Sequence, residues 1–257
     1  MSGRSILKYV VYDIIKNKWL ITYTLVLFAV SSGLVYFSHD ETKSIASVLN
    51  IVLIIVPLVS VIFGSMHFYN SKEFIQMLLT QPVRRESIFR AEYLGIAISL
   101  SVGFIIGAML PLSFLGLSKA FFYLLLSGVF LSFIFSAISL FVSIAIDEKV
   151  KGIGLLLFLW LFFSVLFDGL ILICYFMLSD YPLEKFTILM TLLNPVDISR
   201  IMILLNIDLS AMLGYTGATF LKFFGSLIGL LMTFVSLFLW ITIPVIFANR
   251  KFKKKNF

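Results

Sequence analysis

Charge is scarce in this chain: 13% of its 257 residues are Asp, Glu, Lys or Arg, against roughly 25% in an ordinary soluble domain. That shortage excludes a soluble enzyme. Cysteine is nearly absent, since Cys174 stands alone, which excludes a disulfide framework within one chain and a clustered thiolate metal site. No G-x-x-x-x-G-K-[ST] occurs, so the chain carries no phosphate-cradling loop of its own, and any ATP must be hydrolysed by another subunit. H-E-x-x-H is missing too, and no paired carboxylates fall inside an apolar run. His39 and His67 are expected in different loops on opposite sides of a membrane. The nine methionines are scattered and suit gap-filling packing rather than copper coordination. No catalytic residue, metal ligand or cofactor is therefore assigned to this chain.

What is present is apolar length. Hydrophobic residues make up 61% of the chain and mean hydropathy is +1.09. The long blocks are Trp19 to Phe37, Ala46 to Phe68, Tyr93 to Leu115, Ala120 to Ile146, Ile153 to Leu178 and Phe223 to Ala248. Each can cross a hydrocarbon slab of roughly 30 Å at about 1.5 Å per residue, and unbroken runs of this kind exclude a β-barrel. The fold class follows as an all-α polytopic membrane protein, one transmembrane domain over residues 1–257 with six transmembrane helices. Residues 1–18 hold Arg4, Lys8, Asp13, Lys16 and Lys18 without a short apolar core and small-residue cleavage site, so no removed leader is expected.

The net charge of +7 sorts by loop. Arg4, Lys8, Lys16, Lys18, Lys72, Arg84, Arg85, Arg90, Lys149, Lys151, Arg250, Lys251, Lys253, Lys254 and Lys255 fall on one side. The opposite set holds only Lys43, Lys119, Lys185, Arg200 and Lys222. The positive-inside bias then puts both termini in the cytoplasm. The charge orients the protein in the lipid bilayer and calls for no nucleic acid.

Three segments between the crossings carry structure of their own. Residues 1–18 place Ile6, Val10 and Ile14 beside Leu7, Val11 and Ile15 at helical spacing, the pattern of an interfacial helix. A membrane anchor and a docking face for a cytoplasmic partner both fit it. Residues 70–92 read as a cytoplasmic helix: Asn70 and Glu73 match a capping box, Phe74, Met77 and Leu78 share a face, and Pro82 ends the helix before Arg84 and Arg85. A plain connector and a partner-docking surface both remain open there. In the extracytoplasmic segment 179–222, Asn194, Pro195 and Asp197 supply an N-cap, a first-turn proline and an acidic first turn. Two short helices broken at Asn194 are expected, too short to span, dipping into or lying on the outer leaflet. Gly214 and Gly217 loosen the chain after them.

Inside the crossings, Gly103 with Gly107, Gly225 with Gly229, and Gly128 with Ser132 and Ser136 set small residues at close-packing intervals, serving the bundle or a dimer face. Pro57 and Pro244 are expected to kink crossings two and six. No repeat relates the two halves, which weakens an inverted-repeat carrier. Asp168 is the one carboxylate inside a crossing, on a helical stripe with Trp160, Ser164 and Tyr175, and no second charge accompanies it there. Such a group costs several kcal/mol unless paired, solvated or protonated. A hydrogen bond to a neighbouring helix or loop and a place on a substrate path or proton relay are both open.

The connector resembles that of ABC-2 type exporter permeases, whose pattern of an acid, a leucine-rich turn and T-x-P-x-x-R reads here as Glu73, Leu78, Leu79, Thr80, Pro82 and Arg85. The sequence departs from that pattern in two places. Phe74 and Ile75 follow Glu73 where a glycine is usual, and Glu92 rather than lysine precedes Tyr93. A narrower resemblance is carried by Ile146 to Asp168 and Leu192 to Ile201, which look like permeases of the nitrous oxide reductase maturation system. Asp168, Asn194, Pro195, Asp197 and Arg200 match its motifs. The resemblance implies an ABC-2 (type V) exporter-like fold and a homodimer. It also implies two copies of a cytoplasmic ABC ATPase holding ATP and Mg, and outside a periplasmic β-helix protein. Its implied service is supply of sulfur, or conformational energy, for assembling the copper centre of the reductase. Two other readings share parts of the pattern: an ABC-2 exporter of a lipid or peptide, and a proton-coupled carrier using Asp168.

Overall fold

The computed structural model describes residues 3–38, 40–177, 184–207 and 223–255. Among them there are helices and no strands. In chain order these are α1 (Gly3–Ile15), α2 (Lys18–Ser38), α3 (Glu41–Asn70), α4 (Lys72–Leu79), α5 (Arg85–Phe104), α6 (Leu110–Ser113), α7 (Lys119–Ala145), α8 (Lys149–Leu161), α9 (Phe167–Met177), α10 (Glu184–Leu192), α11 (Pro195–Leu204) and α12 (Leu227–Lys254). A π-helical turn, Ile105–Met109, joins α5 to α6, and a second, Phe162–Leu166, joins α8 to α9. Six helical units are long and apolar enough to cross a membrane: Lys18–Ser38, Glu41–Asn70, Arg85–Ser113, Lys119–Ala145, Lys149–Cys174 and Leu227–Lys254. The six apolar blocks are thus six helical units, although several boundaries move by four residues or more. The third crossing starts at Arg85 instead of Tyr93, and the sixth at Leu227 instead of Phe223. His39 lies outside the described residues, as do 178–183 and 208–222 with Gly214 and Gly217.

The core is built by α3, α5 and α7, whose buried residues run along most of their length. Small residues set how closely they meet. A Cβ on Gly128 would lie 2.2 Å from Cζ of Phe104, and one on Gly64 2.7 Å from Oγ of Ser139. Gly103 and Gly107 press against Thr24 and Leu27 of α2, so these two stripes pack the bundle internally. The Gly225 and Gly229 pair makes no stripe at all. Gly225 sits in the turn before α12, where the Ser226 side chain caps the helix by accepting from the Gly229 amide. Both α3 and α12 continue as helix through Pro57 and Pro244.

The apolar stripe of α1 is used inside the chain. Ile6, Val10 and Ile14 are buried, and Gly95 of α5 lets Val10 approach so closely that a Cβ there would meet its Cγ1 at 2.5 Å. The interfacial helix is therefore packed on α5 and presents Tyr9, Tyr12 and Ile15 outward.

Contacts between distant parts put both ends of the chain at one end of the bundle. Arg85 Nη1 donates to the carbonyls of Lys253 (3.0 Å) and Lys255 (2.8 Å), the rings of Phe89 and Phe252 lie 5.8 Å apart, and Tyr9 stacks on Phe74. The α10 and α11 pair is bent by 111° at the break between Leu192 and Pro195, the geometry of a broken span or a re-entrant loop.

Candidate functional site

The sequence from Leu192 to Arg200 builds a polar knot inside an apolar bundle. Every polar group carried to that depth needs a partner, because hydrocarbon supplies none. Asn194 meets most of the need by itself. Its Oδ1 accepts from the Val196 amide (3.0 Å) and caps α11. Its Nδ2 donates to the Phe163 carbonyl (2.9 Å) and to Asp197 Oδ2 (2.9 Å). The acceptor at Phe163 arises from the π-turn, in which the Phe167 amide bonds back to Phe162 and the ladder shifts by one residue. The Phe163 ring meanwhile packs edge-on to Trp240 of α12 at 5.1 Å and reaches Phe135 of α7 at 6.4 Å. Ser236 of α12 donates to the Leu192 carbonyl (2.7 Å) and holds the end of α10.

Charge is concentrated on Arg200. Its Nη1 lies 2.6 Å from Asp168 Oδ2 and 3.3 Å from Asp197 Oδ1. Asp168 thus has a charge partner after all, one supplied by the hairpin and not by its own helix. The Asp197 to Arg200 pair is not a surface pair, because Asp197 is only 5% exposed and Asn194 is fully buried. Pro195 is buried as the first residue of α11. Arg200 and Asp168 keep about a third of each side chain accessible, 31% and 37%. Ser164 is buried with its hydroxyl unpartnered among the described residues. The stripe expected through Trp160, Ser164 and Asp168 is interrupted by the π-turn, and Trp160 instead donates to the Ile54 carbonyl of α3 (3.1 Å).

At the other end, α4 lies over the bundle. Ile75 and Leu78 are its buried residues, Phe74 is half-buried against Tyr9, and Met77 is 51% exposed. The buried face is therefore not the Phe74, Met77 and Leu78 face read from the spacing. No capping box forms. Ser71 occupies the N-cap without a side-chain bond, while Asn70 ends α3 and accepts from Lys149 Nζ (3.1 Å). Glu73, Gln76, Met77, Thr80, Pro82 and Arg84 form the outward surface. Arg85 is turned inward as the cap of α12, next to an ion pair between Glu86 and Lys253.

A second tie fixes the loop between α7 and α8. Asp147 pairs with Lys255 (2.6 Å) and Lys72 (3.3 Å), and the Lys255 hydrogen bond chiefly holds its carboxyl below the usual range. Tyr69 donates to the Ile146 carbonyl (2.8 Å) and fills the space that a Cβ on Gly152 would need.

No family model matches this chain. A protein of Pseudomonas aeruginosa named "Probable ABC transporter permease protein NosY" is 25% identical over 220 residues, 77% of this chain and 80% of that protein. A protein of the same name from Stutzerimonas stutzeri is 25% identical over 211 residues, 74% of this chain and 76% of its own length. The chain is similar to both. With its six apolar helices, it is a multi-pass protein of the bacterial inner membrane.

Sequence reasoning missed two groups. One is the Asp147, Lys72 and Lys255 tie, whose members are separated by 75 and more residues. The other is His67 with Glu92. His67 is buried within α3 rather than in a loop, and its Nε2 stands 3.3 Å from Glu92 Oε2 of α5. The available signal was position, since each sits at the edge of an apolar run, but nothing in the sequence pairs them.

Proposed function

We propose that this chain is the permease subunit of an ABC transporter, with both termini in the cytoplasm. It couples ATP hydrolysis by a separate cytoplasmic ATPase to transport or conformational signalling across the inner membrane. The observation that carries the reading is the similarity to two proteins named as ABC transporter permeases over about three quarters of the chain. The working unit is a homodimer with two ATPase subunits, each holding ATP and Mg, and a periplasmic β-helix partner. Its service is maturation of the copper site of nitrous oxide reductase, as the resemblance of Ile146 to Asp168 and Leu192 to Ile201 to permeases of that system implies.

The geometry supports a division of labour along the bundle. The outward face of α4, with Glu73 and Met77, and the turn after it, with Pro82 and Arg84, form the ATPase-docking surface, and Phe74 and Leu78 fasten that surface to the bundle. Force delivered there reaches α12 through Arg85 and α8 through the Asp147 tie. At the far end, Asn194, Asp197, Arg200 and Asp168 latch the α10 and α11 pair to α9, the arrangement of an extracytoplasmic gate. A ligand or ATPase state that favours one position of the hairpin would shift its population by that preference.

The test is co-purification. Met77→Asp with Arg84→Glu, both on the exposed face, should release the ATPase from the detergent-solubilised complex and abolish stimulation of its hydrolysis, while expression and melting temperature stay unchanged. Undiminished ATPase recovery and stimulation from that variant would remove α4 as the docking surface.

A further inference from the structure

Between α1, α2 and α3, toward the end of the bundle that carries both termini, lies a cavity of about 540 Å³, within the roughly 300–1,000 Å³ of small-molecule sites. Its lining changes character along α3. Ile55, Val59 and Ile62 make an aliphatic wall, and further along the same helix His67 faces the space with Glu92 of α5 and Asp13 of α1. Trp19 of α2 and Phe63 of α3 add aromatic rings to the lining.

The charge of the lining is of one sign. Two carboxylates and a histidine face the cavity and, among the described residues, no lysine or arginine does, in a chain whose net charge is +7. Two of the cations nearby in sequence are engaged elsewhere: Lys16 donates to the Tyr12 hydroxyl, and Lys72 pairs with Asp147. Glu92 is 1% exposed, yet among the described residues neither of its oxygens accepts a hydrogen bond. His67 is close, at 3.3 Å, but not in hydrogen-bonding geometry. A buried carboxylate left this way is costly and uncommon in native proteins.

We infer that this cavity binds a hydrophobic organic cation, with its apolar body on the aliphatic wall and its positive centre toward Glu92 and Asp13. Aromatic faces such as those of Trp19 and Phe63 add cation–π attraction. An anion is opposed by both carboxylates. A bare metal ion lacks ligands, because no group of three His, Cys, Asp or Glu side chains gathers among the described residues, and a small hydrated cation would leave the aliphatic wall unfilled. Occupancy needs no ATPase, so failure of the docking assay and failure of this site are separate results.

Tetraphenylphosphonium and tetraphenylborate test the inference, being ions of nearly equal size and shape and opposite charge. Binding to the full chain in nanodiscs, measured by equilibrium dialysis with empty nanodiscs as baseline, should saturate at one tetraphenylphosphonium per chain. Tetraphenylborate should bind at least tenfold more weakly. Glu92→Gln should weaken the cation at least tenfold, and Val59→Trp, which fills the wall without altering charge, should abolish saturable binding. If Glu92→Gln does not fold, Asp13→Asn on the exposed part of the lining should weaken the cation several-fold. Equal binding of the two ions, no saturable binding to folded wild type, or cation affinity unchanged in folded Val59→Trp would overturn the site.

Discussion

Arg200 of α11 holds Asp168 of α9 with Nη1 2.6 Å from Oδ2, across 32 residues of chain, while also facing Asp197 at 3.3 Å. One cation therefore offsets two carboxylates. Arg200→Met leaves both carboxylates uncompensated. Removing one partner of a buried pair costs about 3–5 kcal/mol, and partial exposure brings the expectation here to about 2–3 kcal/mol. Thermal unfolding in nanodiscs should show that loss, and Asp168→Leu with Arg200→Met should recover part of it. Asp168→Asn should retain most maturation activity, and Asp168→Leu alone should lose activity together with stability. A stable, assembled Asp168→Asn complex without activity would instead make ionisation itself the function.

Asn194 discriminates capping from the rest of its network. Asp is as good an N-cap as Asn, so at an ordinary helix start Asn194→Asp would be neutral. Here it removes the donor to Phe163 and sets a second carboxylate against Asp197. It should destabilise the protein at least as much as Asn194→Ala, whose loss is about 1 kcal/mol for the cap plus about 1–3 kcal/mol for unpaired buried groups. Melting temperatures of the two variants, compared with wild type, decide the point. An unperturbed Asn194→Asp would mean that the knot does not hold the hairpin.

Gly128 faces the Phe104 ring so closely that Gly128→Ala must displace it. Overpacking of this kind costs about 1–3 kcal/mol. The double variant with Phe104→Leu should be more stable than the sum of the single losses, because the two sites share one space. Additive losses in thermal denaturation would place the strain elsewhere.

Arg84 and Arg85 are neighbours with different expected phenotypes. Arg85→Ala frees the carbonyls of Lys253 and Lys255 and should raise hydrogen exchange at the end of α12. Arg84→Glu should leave exchange there unchanged and weaken ATPase association. Identical exchange in the two variants would contradict the assignment of Arg85 as a cap.

The six crossings were legible because each is a long apolar run, and length against bilayer thickness is a property of the run alone. The break at Asn194 was legible for a similar reason, since cap, proline and acid signals are local. Asp168 was read as isolated because its partner Arg200 lies on another element. The α4 face was misread because Met77 and Ile75 are both apolar, and only packing against α5 and α1 decides which of them turns inward. Arg85 looked like part of a basic docking turn, yet its acceptors are 168 and 170 residues away. His67 and Glu92 show the same limit: each is ordinary at the end of an apolar run, and their meeting depends on how α3 crosses α5.

Native mass spectrometry of the complex purified through this chain from bacterial membranes tests the central claim most directly. The account predicts an assembly with two copies of this chain and two of an ABC ATPase, which loses the ATPase when Met77→Asp and Arg84→Glu are introduced. An intact, folded chain recovered from those membranes with no ATP-hydrolysing subunit at any stoichiometry would contradict it.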